Sequence, residues 1–268
     1  MGRLDGKVAL VTGAARGQGR NHAVKLAEEG ADILAIDLGH DLDGLAYPMG
    51  TADDLATTAA LVEQAGRRCL SGLVDVRDHD GLRAFVDAGV RELGHLDVAV
   101  ANAGVCSTQR FTEITPELWG TVIGINLTGV FNTCASVVPH LVAAGGGSLV
   151  LISSTAGSKG LPFVTPYVAA KHGVVGLMRS LANEFAEAGV RVNSLHPTGV
   201  DTPMLGGMAG LAGYLAERPD LGPLFMNALP DNLIGVEDVT NALLFLASDE
   251  SRAVTGLTLA VDAGAGNR

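Results

Sequence analysis

Seven short runs of almost unbroken apolar residues punctuate the chain, and longer amphipathic segments separate most of them. The runs are Lys7–Gly13, Ala31–Asp37, Gly72–Val76, Leu96–Gly104, Gly147–Ser154, Val190–Pro197 and Leu257–Gly264. A strand with one wet face alternates apolar and polar residues. These runs do not alternate, which is the pattern of strands covered on both faces. Helical periodicity fills Gln18–Glu29, Ala52–Ala65, His79–Leu93, Pro116–Ala144, Thr165–Ala188 and Val236–Ala247. Repeated strand–helix units demand right-handed crossovers between parallel strands. The expected fold is therefore α/β, a doubly wound seven-stranded parallel sheet forming a single domain over residues 1–268.

Two segments break the rhythm. Leu38–Thr51 is rich in Gly, Asp and Pro, too irregular for a helix, and reads as an insertion after the second strand. Val200–Gly235 is long, apolar and interrupted by glycines, a composition suited to a mobile lid over a greasy pocket or, more plainly, to packed short helices.

Composition narrows the function classes. With 47% hydrophobic and 18% charged residues the chain can bury a core, and its net charge of −11 argues against nucleic acid as a partner. No apolar run approaches the roughly 18 residues of a membrane span, and the first residues lack the pattern of a signal peptide, so no membrane partner and a cytoplasmic location are expected. Cys69, Cys106 and Cys134 lack metal-type spacing and are expected as buried, reduced thiols. The seven histidines form no ligand motif, and no metal site is expected.

The first strand leads into "TGAARGQG", with Gly13, Gly17 and Gly19 opening a helix. Glycines allow a tight turn and close backbone approach, while the helix N-terminus offers N–H groups and a positive dipole to a pyrophosphate. This makes the sheet Rossmann-type. Asp37 ends the second strand, where a carboxylate accepts hydrogen bonds from ribose hydroxyls and repels a 2′-phosphate. The expected cofactor is accordingly NAD. Arg16 argues the other way, since a guanidinium beside the loop could meet a 2′-phosphate.

The chain resembles the short-chain dehydrogenase/reductase family over essentially its whole length. The resemblance rests on TGxxxGxG at Thr12–Gly19, "ANAG" at Ala101–Gly104, Asn126 in "IGIN", Ser154, and Tyr167-x-x-x-Lys171. Ala101 stands where the family usually has asparagine, Gln18 where many members have an aliphatic residue, and "LHPTGVDTPM" replaces the usual Pro-Gly segment. "GAARGQGRNHAVKLAEEGADILAID" and the insertion after Asp37 are similar to the mycofactocin-coupled, or carveol-dehydrogenase-like, subgroup.

The resemblance implies hydride exchange between an alcohol carbon and nicotinamide, with Tyr167 as the base for the hydroxyl proton. Free tyrosine has a pKa near ~10, too high for that task at neutral pH. Lys171, one helical turn away, is expected to lower it and to bind the nicotinamide ribose. Ser154 would hold the substrate oxygen and Asn126 a water linking Lys171 to solvent. By position in the family pattern, the loop residues Gly13, Arg16, Gly17, Gln18 and Gly19, with Asp37 and Leu38, meet the adenosine diphosphate. Asp75 and Val76 end the third strand near adenine, and Asn102, Ala103 and Gly104 pass the ribose. Pro197, Thr198, Gly199, Val200 and Thr202 follow the sixth strand toward the carboxamide. His196 and His172 are expected to be structural.

A substrate pocket lined by Ser154, Phe163, Tyr167, Met204, Leu205, Met208 and Tyr214 would suit a small hydrophobic secondary alcohol or ketone. The subgroup resemblance implies carveol-like terpenoids, a firmly held NAD under the insertion, and an external redox carrier. The insertion reads equally as a surface loop or a subunit contact. Family resemblance also implies a homotetramer. Two other functions are open to the sequence: an ordinary exchanging 3-oxoacyl thioester reductase, and a noncatalytic dinucleotide sensor. The acidic charge discourages the first, and the Ser–Tyr–Lys set argues against the second.

Overall fold

A computed structural model describes residues 2–231 and 233–268. Met1 and Asn232, the latter within the expected lid, lie outside the described residues. The strands are β1 (Val8–Thr12), β2 (Asp32–Asp37), β3 (Cys69–Leu73), β4 (Val98–Ala101), β5 (Gly147–Ile152), β6 (Val190–Pro197) and β7 (Thr258–Val261). They form one parallel sheet in the order β3-β2-β1-β4-β5-β6-β7. Strand order reverses between β1 and β4, the position at which doubly wound sheets leave a crevice at their C-terminal edge.

Alternation within each strand divides the core in two. Val8, Leu10, Leu34 and Ile36 point to the face covered by α3 (His79–Leu93), α5 (Gly129–Ala143) and α6 (Thr165–Glu184). Ala9, Val11, Ile33 and Ala35 point to the face covered by α1 (Gly17–Glu28), α2 (Ala52–Gln64) and α8 (Val236–Ala247). Local chemistry sets the helix boundaries. Thr51 caps α2 reciprocally with Asp54, Asp78 caps α3, and Thr115 caps α4 (Pro116–Ile123), which has proline in its first turn.

The structure corrects several sequence expectations. The third strand lies at Cys69–Leu73 rather than Gly72–Val76, so Asp75 and Val76 follow it rather than end it. β3 is an edge strand, paired with β2 alone and half exposed, so it needs no continuous apolarity. Beyond Leu73 the ladder makes one more bond, from the Val74 N–H to the Asp37 carbonyl at 2.8 Å, and the strand ends there.

The expected helix Pro116–Ala144 is continuous but not uniform. Gly124–Thr128 forms a π turn between α4 and α5, in which the Gly129 N–H reaches the Gly124 carbonyl. Together Pro116–Ala143 is long and apolar enough by length and composition to cross a membrane, contrary to the run-length reading, although most of it is buried inside the fold. The helix from Thr165 ends at Glu184. A separate turn, Ala186–Ala188, follows and is closed by Gly189 in the left-handed region at φ 75°. Cys69 is only partly buried, whereas Cys106 and Cys134 are buried; all three are free thiols.

Candidate active site

The glycine loop closes tightly against the end of β4. Gly13 has φ 67°, and a Cβ there would lie 2.8 Å from the Ala103 Cα. A Cβ on Gly19 would lie 1.9 Å from the Gly13 carbonyl oxygen. Thr12 joins the two segments: its hydroxyl oxygen accepts the N–H groups of Asn102 and Ala103, each at 2.9 Å. The Asn102 side chain donates back to the Thr12 carbonyl at 2.9 Å, so its amide braces the loop. Arg16, at the N-cap of α1, supplies no capping side chain. The first N–H groups of the helix are thus left for an anion, as pyrophosphate binding requires. Gln18 Oε1 is buried without a partner among the described residues, a second sign that a polar ligand completes this site.

Asp37 is fixed at the far end of the loop. Its carboxylate accepts the Ala15 N–H at 2.9 Å and the Leu38 N–H at 2.8 Å. Arg16 instead donates to the Pro48 carbonyl of the insertion. One nitrogen of the guanidinium is thus engaged by the protein itself, and the Asp37 carboxylate is held in place by backbone donors. The donor set fits NAD.

A cavity of about 400 Å³ runs from this loop to the helix α6. Its wall contains Ser154, Tyr167 and Lys171, and every expected cofactor contact except Gly19. Gly19 and Asn126 stand behind the wall. Asn126, held in the π turn, donates its amide to the Val105 and Val122 carbonyls at 2.9 Å and accepts the Val105 N–H at 3.2 Å. Its side chain thus clamps the β4 exit. π turns recur at functional sites, and here the turn delivers a side chain to the site's rear. Asp75 lines the cavity, but Arg77 holds its carboxylate, with Nε at 2.9 Å. The Thr198 hydroxyl donates to Asn227 Oδ1 at 2.8 Å.

The chain is similar to known proteins over almost its whole length. A family model described as enoyl-(acyl carrier protein) reductase matches residues 13–266. A (−)-trans-carveol dehydrogenase of Rhodococcus erythropolis is 50% identical over 276 residues, covering 98% of this chain and 99% of its own. The crystal structure of a short chain dehydrogenase from Mycobacterium paratuberculosis bound to NAD superposes with a TM-score of 0.97 at 46% identity, over 100% of both chains. The chain belongs to the short-chain dehydrogenase/reductase family. The carveol dehydrogenase from Mycobacterium avium in complex with NAD is also similar, with a TM-score of 0.93 and 48% identity over 100% of both chains.

Within this short-chain dehydrogenase/reductase, the electrostatics of the Tyr–Lys pair differ from the sequence expectation. The Lys171 ammonium lies 5.4 Å from the Tyr167 ring centroid and donates to the Ile152 carbonyl at 2.7 Å. Burial nevertheless pushes the Tyr167 phenol above its ordinary value, reinforced by nearby Cys106, while Ser154 pulls it down by hydrogen bonding. Burial also lowers Lys171 to about 8, with Cys106 opposing. Desolvation is the largest cause at both groups.

The substrate end also departs in part from expectation. Met204, Leu205 and Met208 line the cavity as expected. Phe163 and Tyr214 do not; their rings stack on each other at 4.9 Å. The segment expected as a lid comprises a short helical stretch Pro203–Met208, α7 (Leu211–Glu217) and Pro219–Phe225. Sequence reasoning missed Tyr47, Met49 and Cys106 as wall residues. Thr12 was visible in the quoted motif, but nothing in the spacing announced its bridging hydroxyl. His196 is buried with Nε2 2.9 Å from Ser194 Oγ, and His172 is exposed with Nδ1 3.0 Å from the Val168 carbonyl.

Proposed function

We propose that this NAD-dependent dehydrogenase interconverts an apolar, carveol-like secondary alcohol and its ketone, with Tyr167 as acid–base group. The observation that carries the reading is convergence: Ser154, Tyr167 and Lys171 share one largely apolar cavity with the glycine loop and Asp37. Bound NAD supplies the ring that accepts the hydride and, when oxidised, a positive charge. In the oxidation direction Tyr167 takes the hydroxyl proton as the C–H bond breaks and the C=O bond forms. Ser154 holds the same oxygen by a hydrogen bond, and Lys171, poised at about 8, favours the phenolate and returns the proton toward solvent. Asn126 fixes the β4 exit beside Lys171: a Cβ on Gly104 would lie 2.8 Å from Asn126 Oδ1 and 3.8 Å from Lys171 Nζ.

The apolar wall provided by Met204, Leu205 and Leu211 supports a terpenoid-sized alcohol over a charged acyl carrier substrate. Slow NAD release, with reoxidation by an external carrier, is supported by the insertion, whose Met49 is buried and whose Pro48 is held by Arg16. Protein purified without added cofactor should release NAD on denaturation. Trp119, Phe131 and Val142, exposed along α4 and α5, support association of copies in a homotetramer.

The test of the chemistry is Tyr167→Phe, assayed with carveol and NAD. Turnover should fall by about 10²- to 10⁴-fold, the usual contribution of a positioned acid–base group, with NAD affinity nearly unchanged. Undiminished turnover would show that another group moves the proton.

A further inference from the structure

Tyr47 belongs to the segment that leaves the ribose carboxylate, yet its side chain ends on the substrate side. It is buried, and its hydroxyl oxygen accepts the Cys106 N–H at 3.2 Å. Its ring packs beneath the first turn of the lid with no room to spare. A Cβ on Gly206 would lie 2.6 Å from the Tyr47 Cβ, and one on Gly207 would lie 2.9 Å from Tyr47 Cε1 and 2.2 Å from the Cys106 carbonyl oxygen. The lid is sewn to the same place from the other side. Thr108 Oγ1 donates to the Gly207 carbonyl at 2.7 Å, and Cys106 Sγ sits 3.5 Å from Met208 Sδ.

Three segments distant in sequence therefore meet at one point: the insertion, the exit of β4 and the lid. Tyr47, Cys106 and Met208 all line the cavity that holds Tyr167. Burial pushes the Tyr47 phenol up to about 12, so its hydroxyl stays protonated.

We propose that Tyr47 is a substrate-positioning residue, a strut between the β4 exit and the lid whose ring sets how large an alcohol reaches Tyr167. The proposal rests on the dehydrogenase reading given above. Gly206 and Gly207 are the positions where the lid must lack side chains to seat on it. A rigid aromatic suits the task because it presents a large surface with few rotatable bonds. The substrate class selected is a compact cyclic secondary alcohol, and removal of the ring opens the chamber to fused-ring alcohols.

The experiment compares wild type, Tyr47→Phe and Tyr47→Ala, using cyclohexanol and decahydro-2-naphthol as probes with NAD. In Tyr47→Ala the kcat/KM ratio should move at least ~10-fold toward the bicyclic alcohol, about 1.4 kcal/mol of discrimination, and chiefly through KM. Tyr47→Phe retains the ring and should keep the wild-type ratio. NAD affinity should stay within about threefold in both variants, since the strut lies on the substrate side. An equal change for the two alcohols, or a loss of NAD affinity larger than the change in selectivity, overturns the proposal.

Amide hydrogen exchange supplies a readout independent of activity. Tyr47→Ala should speed exchange across residues 105–108 and 203–208 at least ~10-fold. Unchanged exchange there also overturns the proposal. Failure of the wild type to oxidise either alcohol would count against the dehydrogenase reading instead, and exchange would then decide the strut alone.

Discussion

Asp37 occupies its place because its neighbours' backbone holds it. With the Ala15 and Leu38 N–H groups on its two oxygens, the carboxylate cannot swing away when a 2′-phosphate approaches. Arg16 keeps its positive charge, but one of its nitrogens is engaged by the Pro48 carbonyl. Asp37→Asn keeps the shape but removes the charge and turns an amide NH₂ toward one of those donors. Charge-assisted hydrogen bonds are worth about 1.5–3 kcal/mol, so NAD affinity should drop roughly tenfold or more while NADP loses less. Titration of both dinucleotides by calorimetry checks this. An unchanged NAD-to-NADP ratio would mean that specificity lies elsewhere in the loop.

At the scale of elements, Thr12 shows how one hydroxyl can hold two loops in register. It sits at the end of β1 and accepts both N–H groups that lead out of β4. Thr12→Val keeps the volume but strands two donors against a buried side chain. Each buried unsatisfied group costs about 1–3 kcal/mol, so thermal unfolding should begin several degrees lower and NAD should bind about tenfold more weakly. Wild-type stability would show that the loops are held by packing alone. What the sequence reveals at this scale follows from locality. The glycine turn, the strand-end carboxylate and Tyr167-x-x-x-Lys171 each depend on spacing within one element and can be read directly. The register of β3 cannot, because an edge strand with one neighbour carries little apolar signal. The π turn around Asn126 shifts a helix by a single residue, too small a change to disturb a helical pattern. Tyr47 lies in an irregular segment, and its contacts with Cys106 and Gly207 are wholly tertiary. The Tyr–Lys spacing was legible, but the sign of the pKa shift was not, because desolvation depends on how the whole fold surrounds the phenol.

For the whole molecule, acid stability follows from two histidines buried uncharged in different parts of the fold. His22, in α1, is fully buried against α8 with Nδ1 2.7 Å from Thr240 Oγ1. The Thr240 hydroxyl can donate to the Val236 carbonyl at 2.9 Å, so the proton belongs on Nδ1, and Nε2 is left without a partner among the described residues. A second proton would have nowhere to bond. Burial accordingly lowers His22 to about 3. His196, in β6, is lowered to about 4, first by burial and then by Lys171, Arg179 and His172, against a hydrogen bond to the Ser154 backbone. An unfolded histidine titrates near ~6.5. Above that value neither state binds the proton and stability is at its plateau. Below it the unfolded chain takes up protons that the folded chain refuses, so stability falls with falling pH until the folded values are reached. Each such group costs up to ~1.4 kcal/mol per pH unit in this window. Carboxylates titrate lower, near ~4, so the interval from about pH 6.5 to 4.5 reports mainly on histidines. Urea unfolding across that interval should show a slope approaching two protons in the wild type and one fewer in His22→Gln. The slope is diagnostic even if the substitution itself destabilises the fold. An unaltered slope in the variant would mean that His22 accepts its proton in the native state, and that the α1–α8 contact opens to admit a partner for Nε2.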